Sequence, residues 1–503
     1  MIMNIDINNV ESLKMAINAI KQLNALGLGK AYIVGGCVRD ILRGISPSDY
    51  DIATNIPLDV IEKNFNTADI GRSKEFGIFA VIIDGNVYEV AQFRTDSTTS
   101  EDARHPDSVY LTDVSIKDDA DRRDLTINAL YMDSEYSIID FHDGYNDIIR
   151  RELKFVGDGV QRLDEDVLRL FRVLRFAATL NFEITEQTHD DIMKFLGKTS
   201  KAGIHDITTM LSVERTTAEL IKVAKHGGKA MARYIELLYD YNLLTFVLPE
   251  IAASDDVYHY WEHHPEGSLM RLTVDGSIHE TNLAIVYDGY AEVTASGSVF
   301  EHVISALENV REDASYVVVL ATLFHDVGKP AAAEKKDDNP IAHSFKNHQV
   351  EGRNIFVEVV APRMKLSSAL TDELAFAIRY HLDFFVLLDM KKAKVLNIAL
   401  SPFLDTLIEV CYADDHARGE ELTRDDQFER VVEHLYDRRD NYADEEALRL
   451  KIKERINGKK VIDIRGDIEG RLIGEILAKV KDKLIETDFE MTDEEIEKII
   501  KEK

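Results

Sequence analysis

Residues 31–54 read AYIVGGCVRDILRGISPSDYDIAT, and the reading of the whole chain turns on this stretch. The apolar run Tyr32–Val34 enters paired glycines, Gly35 and Gly36. A helical pattern carrying Arg39 and Asp40 follows, and then the acidic pair Asp49 and Asp51. Side chains alternate along an extended strand, so Asp49 and Asp51 are expected on one face with Tyr50 and Ile52 on the other. Two carboxylates on one face suit Mg²⁺, a hard ion that takes oxygen ligands and shares substrate phosphates. The glycines permit close backbone approach, and a helix beginning there turns N–H groups toward phosphate oxygens. Either element alone fits an exposed turn; the two in this order favour a phosphate site.

Outward from this stretch, 503 residues exceed one hydrophobic core, so several domains are expected, and 45% hydrophobic content supports a folded protein. No apolar run reaches the length needed to span a bilayer, and the N-terminus lacks a basic, apolar signal. Cys37 and Cys411 are far apart and form no disulfide or zinc framework, which implies a reducing, cytoplasmic setting. The net charge of −31 argues against a broad nucleic-acid surface, because phosphate affinity comes from Lys and Arg. Yet Arg122, Arg123, Arg150, Arg151, Lys154, Arg162, Arg169, Arg172 and Arg175 cluster in one region. An acidic body with a local basic cleft remains compatible with RNA.

Periodicity predicts a helix over Val10–Leu26 on Leu13, Ile17 and Ile20. It predicts a hairpin of Ile78–Ile83 and Val87–Phe93 turning at Asp84-Gly85, then helices from Glu165 to Leu244 with a breaker at Lys225–Lys229. Residues 268–297 read as a three-stranded meander. From Glu301 to Arg418 the pattern is helical and rich in histidine. The rest is charged and helical, with a looser stretch at Gly458–Gly470.

The opening stretch resembles the signature of class II nucleotidyltransferases acting on RNA 3′ ends: the CCA-adding tRNA nucleotidyltransferases, their A-adding relatives and bacterial poly(A) polymerases. The pattern GG-x-VRD-x-L-x-G…D-x-D-x-AT is met by Gly35, Gly36, Val38, Arg39, Asp40, Leu42, Gly44, Asp49, Asp51, Ala53 and Thr54. The likeness continues through about the first half of the chain. Arg94 stands at the family's TTFR position, with Ala91 and Gln92 in place of the threonines. Glu101–Tyr110, with His105, resembles the mobile loop. RRDLTINAL (Arg122–Leu130) resembles RRDFTINA with Leu125 replacing Phe, and SVERTTAEL (212–220) resembles SxERxxxEL.

By this resemblance Asp49 and Asp51 are catalytic and hold Mg²⁺. Glu89 is either a third acidic ligand or an ordinary edge-strand glutamate. Gly35, Gly36 and Arg39 cradle phosphates, Arg122 and Arg123 hold triphosphate or primer, and Asp124 and Asn128 contact ribose or hold the loop. Glu165-Asp166-Val167-Leu168-Arg169 matches EDxxR, which stands in for a template: Arg169 and Asp166 read the base edge and Arg172 continues the basic face; in a single helix Glu165, Asp166 and Arg169 would lie on one side. Glu214 and Arg215 are expected to brace that helix.

In the second half His302, His325, Asp326, His343 or His348, His381 and Asp414 (or Asp415) follow the order of an HD-domain phosphohydrolase. Imidazoles and carboxylates on neighbouring helices suit one or two divalent ions such as Ni²⁺ or Mn²⁺. Relatives use the domain either for phosphoester hydrolysis or to hold RNA. In relatives, segments like His263–Gly267 and Val299–His302 are nearly contiguous, so the meander reads as an insertion, as a partner surface or as decoration. The expected fold is α+β: a small mixed-sheet nucleotidyltransferase head (1–150), a mostly helical neck and body (151–252), a linker with the β insertion (253–298), an HD domain (299–425) and a helical tail (426–503) that contacts the tRNA elbow. The expected activity is template-independent CCA addition to tRNA from CTP and ATP, with no DNA or membrane partner and with HD phosphohydrolysis as a second activity. The alternatives are A-only or poly(A) addition, and hydrolysis as the main activity.

Overall fold

The computed structural model describes residues 11–68, 78–96, 108–109, 114–202, 211–255, 257, 269–274, 277–282, 298–336, 339–419, 423–442, 445–466, 470–487 and 489–502. The chain divides into two compact units, Met1–Val223 and Ala224–Lys503.

In the first unit the expected opening helix forms as α1 (Glu11–Asn24), with Leu13, Ile17 and Ile20 buried. A seven-stranded sheet follows, built from β1 (Ala31–Val34), β2 (Asp51–Thr54), β3 (Asn66–Ala68), β4 (Ile78–Ile83), β5 (Asn86–Gln92), β6 (Leu130–Met132) and β7 (Ile138–Asp140). Their order is β3-β4-β5-β2-β1-β6-β7. Only β2 and β5 pair in parallel, so the sheet is mixed, as expected. The β4–β5 turn places Asp84 and Gly85 at φ 51° and 79°, the left-handed pair a two-residue hairpin demands. Helices α2 (Gly36–Leu42), α3 (Leu58–Asn64), α4 (Ile116–Asp121) and α5 (Gly144–Arg150) complete the head. Ile33, Val38, Ile52, Val81, Val90 and Leu130 form its interior.

Beyond the head come α6 (Gly159–Glu165), α7 (Leu168–Leu180), α8 (Glu186–Ala202) and α9 (Val213–Ala224). The expected single helix through EDxxR is broken. Asp166 is extended, at φ −153° and ψ 106°, between α6 and α7. Its own side chain accepts the Leu168 N–H at 3.0 Å, the local competition by which aspartate ends one helix and starts another.

The second unit is mostly helical and begins with α10 (Gly228–Asp240), after the expected break. Of the meander, Leu269–Val274 and Ser277–Asn282 form an antiparallel pair with Val274 opposite Ser277; the expected third strand, like His263–Gly267, lies outside the described residues. The helices that follow include α11 (Val299–Glu308), α12 (Tyr316–Phe324), α13 (His348–Ile355), α14 (Ser368–Tyr380) and α15 (Leu404–His416). The expectation of continuous helix here fails at a hairpin of Glu334–Lys336 with Asn339–Ser344. Pro340 lacks an N–H and drives the residue before it out of the helical region.

In the tail the stretch expected to be loose contains a helix, Gly458–Arg465. Asn457 caps it by accepting the Lys460 N–H, and buried Val461 anchors it. The break comes later, at Gly466 (φ 84°). No single described helix is long and apolar enough to cross a membrane.

Candidate active sites

In the head, β1 delivers the chain to Gly35, whose φ of 77° and ψ of −133° start α2. That left-handed φ favours glycine, and a Cβ there would lie 3.3 Å from the Arg123 guanidinium. The turn is pinned by the Gly35 N–H donating to the Leu130 carbonyl at 3.0 Å.

The acidic pair sits where β2 begins. Tyr50 and Ile52 are buried while Asp49 and Asp51 are solvent-accessible, the alternation expected of an extended segment. Parallel pairing of β2 with β5 sets Asp51 opposite Glu89, so the third carboxylate comes from the neighbouring strand. Asp51 is accessible but closely surrounded. Desolvation, then the charges of Glu89 and Asp49, push its carboxyl up to about 6, with Arg123 opposing. Neighbouring carboxylates, one of them with a disfavoured charge, are oxygen donors whose repulsion a hard cation would relieve.

Around this set the arginines are held by buried acids. Asp119 is fully buried and was not singled out in the sequence, although Arg122 and Arg123 follow it at helical i,i+3 and i,i+4 spacing. It accepts from Arg122 at 2.6 Å, from Arg123 at 3.1 Å and from the Tyr131 hydroxyl at 2.7 Å. Burial alone would raise its carboxyl; the two arginines overcome this and hold it at about 2. Asp124 also stays well below the usual carboxylate range against burial, because Arg172 donates to it at 2.6 Å.

Asn128 donates to Asp124 at 3.3 Å and accepts from Arg39 at 2.8 Å, while Arg39 also grips Asp40 with Nε and Nη2 at 3.0 Å each. Asp124 and Asn128 thus hold the turn. The Arg39, Arg172 and Arg175 guanidiniums lie over the Phe176 ring at 5.1, 5.7 and 3.9 Å, within cation–π range.

Of the EDxxR residues, Glu165 and Arg169 keep the i,i+4 pairing that a helix gives, while Asp166 takes a partner from elsewhere. Arg169 takes Glu165 as its partner at 2.6 Å and also donates to the carbonyls of Arg162 and Arg122 at 3.0 and 3.1 Å. Asp166 is held by Arg215 from α9 at 2.7 and 3.2 Å. Bracing by Arg215 was expected; its grip on Asp166 was not. Residues 101–107, including His105, lie outside the described residues.

The second unit assembles the histidine cluster. His302 on α11, His325 at the end of α12 and Asp414 on α15 form one set of three ligand groups; Asp326, His348 and His381 form another, with the ligand atoms within 4.8 Å of one another in each set. Asp326 links the sets. Its Oδ2 lies 3.1 Å from His325 and 3.4 Å from His302, and its Oδ1 lies 3.2 Å from His348 and 3.5 Å from His381.

Carbonyls of Thr322, Phe345 and Ile378 sit 2.7, 2.8 and 2.9 Å from Nδ1 of His325, His348 and His381. Each Nδ1 therefore carries hydrogen and each Nε2 faces the cluster, the orientation a metal-ligating histidine needs. Burial lowers His302 and His381. His325 is driven up to about 10 by Asp326 and Asp414, against burial. A Cβ on Gly328 would sit 2.2 Å from the His348 carbonyl, so a glycine lets this loop pack on α13. Lys329 pairs with Asp326 and was not singled out, although it lies at i,i+3.

Between the open alternatives, Asp414 joins the cluster, and Asp415 is instead taken by Arg424 at 2.7 and 2.8 Å. His348 likewise joins it. His343 lies in the hairpin strand, and its side chain is outside the described set.

Comparison with known families matches residues 31–154 to the poly A polymerase head domain and residues 299–436 to the HD domain. Curated relatives include the CCA-adding enzyme of Enterococcus faecalis, 41% identical over 228 residues, covering 44% of this chain and 52% of that enzyme. The CCA-adding enzyme of Bacillus pumilus is 41% identical over 211 residues, covering 42% and 49%. The chain spans about half the length of the curated relatives it matches. Among solved structures, the Bacillus stearothermophilus CCA-adding enzyme in complex with CTP superposes with a TM-score of 0.61 at 23% identity, covering 97% of both chains. This last likeness is one of fold. Both domain types imply use of divalent metal ions.

The Asp51 carboxyl makes the head pH-sensitive. Its folded value, about 6, lies above the ordinary 3.8. The folded head therefore binds more protons between these values, and its stability falls as pH rises through them. With divalent ions chelated, Asp51→Asn is expected to raise the thermal midpoint at about pH 8 and to leave it nearly unchanged at about pH 4. A lower midpoint at the higher pH would show that Asp51 is not under repulsion.

Proposed function

We propose that this protein adds C, C and A to tRNA 3′ ends from CTP and ATP without a nucleic-acid template. The observation that carries the reading is the β2–β5 register, which sets Glu89 beside Asp51 next to Asp49. The CCA-adding names of the chain's curated relatives support it. Asp49, Asp51 and Glu89 would hold Mg²⁺, and the all-oxygen donor set with its elevated Asp51 carboxyl fits that ion. When bound, the metal supplies Lewis-acid activation of the RNA 3′-OH and charge stabilisation of the triphosphate.

The chain's own groups do the positioning. Gly35 and Gly36 admit the triphosphate close to the backbone, with Arg39 turned to the same loop. Arg123, beside Gly35 and opposing the Asp51 shift, offers positive charge to the phosphates. Arg122 extends that charge, and Asp124 and Asn128 fix the turn. Arg169 donates to an acceptor on the incoming base while Asp166 accepts from an exocyclic amino group. Cytosine and adenine share such an edge; guanine and uracil present others. Arg172 keeps the approach basic.

We assign 1–150 to the head, 151–252 to the neck and body, 253–298 to the inserted linker, 299–425 to the HD domain and 426–503 to a tRNA-contacting tail. We place the protein in the cytoplasm, for which its free, buried cysteines speak. The paired ligand sets favour a second activity, hydrolysis of a phosphoester at the HD cluster. His302, His325, Asp326, His348, His381 and Asp414 would hold Mn²⁺ or Ni²⁺ there, since imidazole suits such ions.

Two assays test these readings. On transcripts ending before CCA, after C and after CC, labelled CTP and ATP should give two C additions and then one A, lost in Asp49→Ala/Asp51→Ala. A addition to the CC-ended transcript alone would move the assignment to A-adding, and long A tails to poly(A) synthesis. Separately, a 2′,3′-cyclic nucleotide with Mn²⁺ or Ni²⁺ should be hydrolysed by the wild type and by Asp49→Ala/Asp51→Ala, but not by Asp326→Ala. Equal turnover in Asp326→Ala, or none in the wild type, would remove the hydrolase reading.

A further inference from the structure

We infer that Lys329 divides the histidine cluster into two unequal metal positions: it stands as a built-in cation on Asp326 Oδ2, so that the first divalent ion goes to Asp326 Oδ1, His348 and His381. The inference rests on the metal-holding role proposed for the cluster. The two ligand sets differ in what already meets their acceptors. In the Asp326–His348–His381 set, Oδ1 of the buried Asp326 accepts no hydrogen bond among the described residues. Nε2 of His348 and of His381 lie 3.2 and 3.5 Å from it and 3.3 Å from each other. Neutral rings here carry their hydrogen on Nδ1, donated to the Phe345 and Ile378 carbonyls, so each Nε2 presents a lone pair. Three acceptors converge in a buried space without a donor between them, an arrangement that a cation satisfies. Two imidazoles and one carboxylate suit a divalent transition ion and leave its other positions open.

The His302–His325–Asp414 set is already matched from within the protein. His302 Nε2 stands 2.9 Å from Asp414 Oδ1. Asp326 Oδ2, the oxygen directed at His302 and His325, is taken by the Lys329 ammonium. An ion entering this set must break both contacts. It must also share Oδ2 with the ammonium, in an interior where like charges are weakly screened. Lys329 has no ready retreat, because it is buried and its ammonium lies 5.6 Å from the Phe345 ring centre, within cation–π range. The charges point the same way. Asp326 and Asp414 are the cluster's only carboxylates among its described ligands, and Lys329 offsets one of them. One divalent ion therefore reverses the sign of the cluster, and a second would load a buried site with positive charge that no further acid offsets.

The test is calorimetric titration of Ni²⁺ into the full chain carrying Asp49→Ala/Asp51→Ala, so that the head carboxylates do not compete, with thermal midpoints measured alongside. This parent is expected to bind one ion tightly and a second at least about tenfold more weakly. His381→Gln should weaken the first ion by at least about tenfold, whereas His302→Gln should leave it within about threefold and weaken the second. Lys329→Met should strengthen the second ion by at least about tenfold, and Lys329→Arg, which keeps the charge, should not. If Lys329→Met fails to fold, the comparison of His302→Gln with His381→Gln decides alone. A first ion weakened equally by His302→Gln and His381→Gln would overturn the inference while leaving the metal-holding role intact. Two ions of equal strength in the parent, or a second ion strengthened as much by Lys329→Arg as by Lys329→Met, would do the same. Absence of saturable Ni²⁺ binding in the parent would overturn both.

Discussion

Carboxylates brought together with only Arg123 opposing their repulsion at Asp51 are the constraint around which the head domain is organised. The β2–β5 register faces Asp51 with Glu89, and Asp49 lies two residues before. Like charges at such range, partly withdrawn from water, raise the cost of ionising the most enclosed one. A fold that keeps such a cluster holds a standing electrostatic cost, which a divalent cation or nearby arginines can offset. Arg123, itself fixed by Asp119 and Tyr131, is the protein's own contribution to that offset.

The same logic explains how a chain of net charge −31 can present a basic surface to a phosphate. Each important guanidinium is held by a particular acid: Arg122 and Arg123 by Asp119, Arg172 by Asp124, Arg175 by Glu219, Arg169 by Glu165, Arg215 by Asp166. Where the acid is buried, as with Asp119 and Glu219, it cannot swing out to bind elsewhere, and the arginine is aimed. The HD cluster reverses the arrangement, with Asp326 at the centre and four imidazoles and an ammonium around it.

The head was legible in the sequence because its determinants are local. Paired glycines, alternation at Asp49 and Asp51, and an Asp-Gly turn each act within a few residues, so α2, β2 and the β4–β5 hairpin fall where periodicity put them. That Glu89 lies opposite Asp51 is visible only through strand pairing, a contact between residues far apart in sequence. The EDxxR segment was misread as one helix because 3.6-residue spacing says nothing about a side chain that caps its own backbone, as Asp166 does at Leu168. Asp119 was missed because an acidic run on a charged helix looks solvated until Tyr131 and the two arginines close over it. The hairpin at Glu334–Ser344 and the helix at Gly458–Arg465 were lost to the opposite error, reading composition over turn chemistry and capping. In the histidine cluster, residue types and order were visible from the sequence; the choice of Asp414 over Asp415 needed the position of Arg424.

The central claim is that Asp49, Asp51 and Glu89 form one divalent-cation site in the head. Calorimetric titration of Mn²⁺ tests it most directly in a chain carrying His302→Ala and Asp326→Ala, so that the HD cluster does not compete. The account predicts a saturable site that weakens by at least about tenfold on Asp51→Asn, because the enclosed carboxylate makes the largest contribution to the ion's field. Binding of unchanged strength in Asp51→Asn, or no saturable binding in the parent, would contradict it.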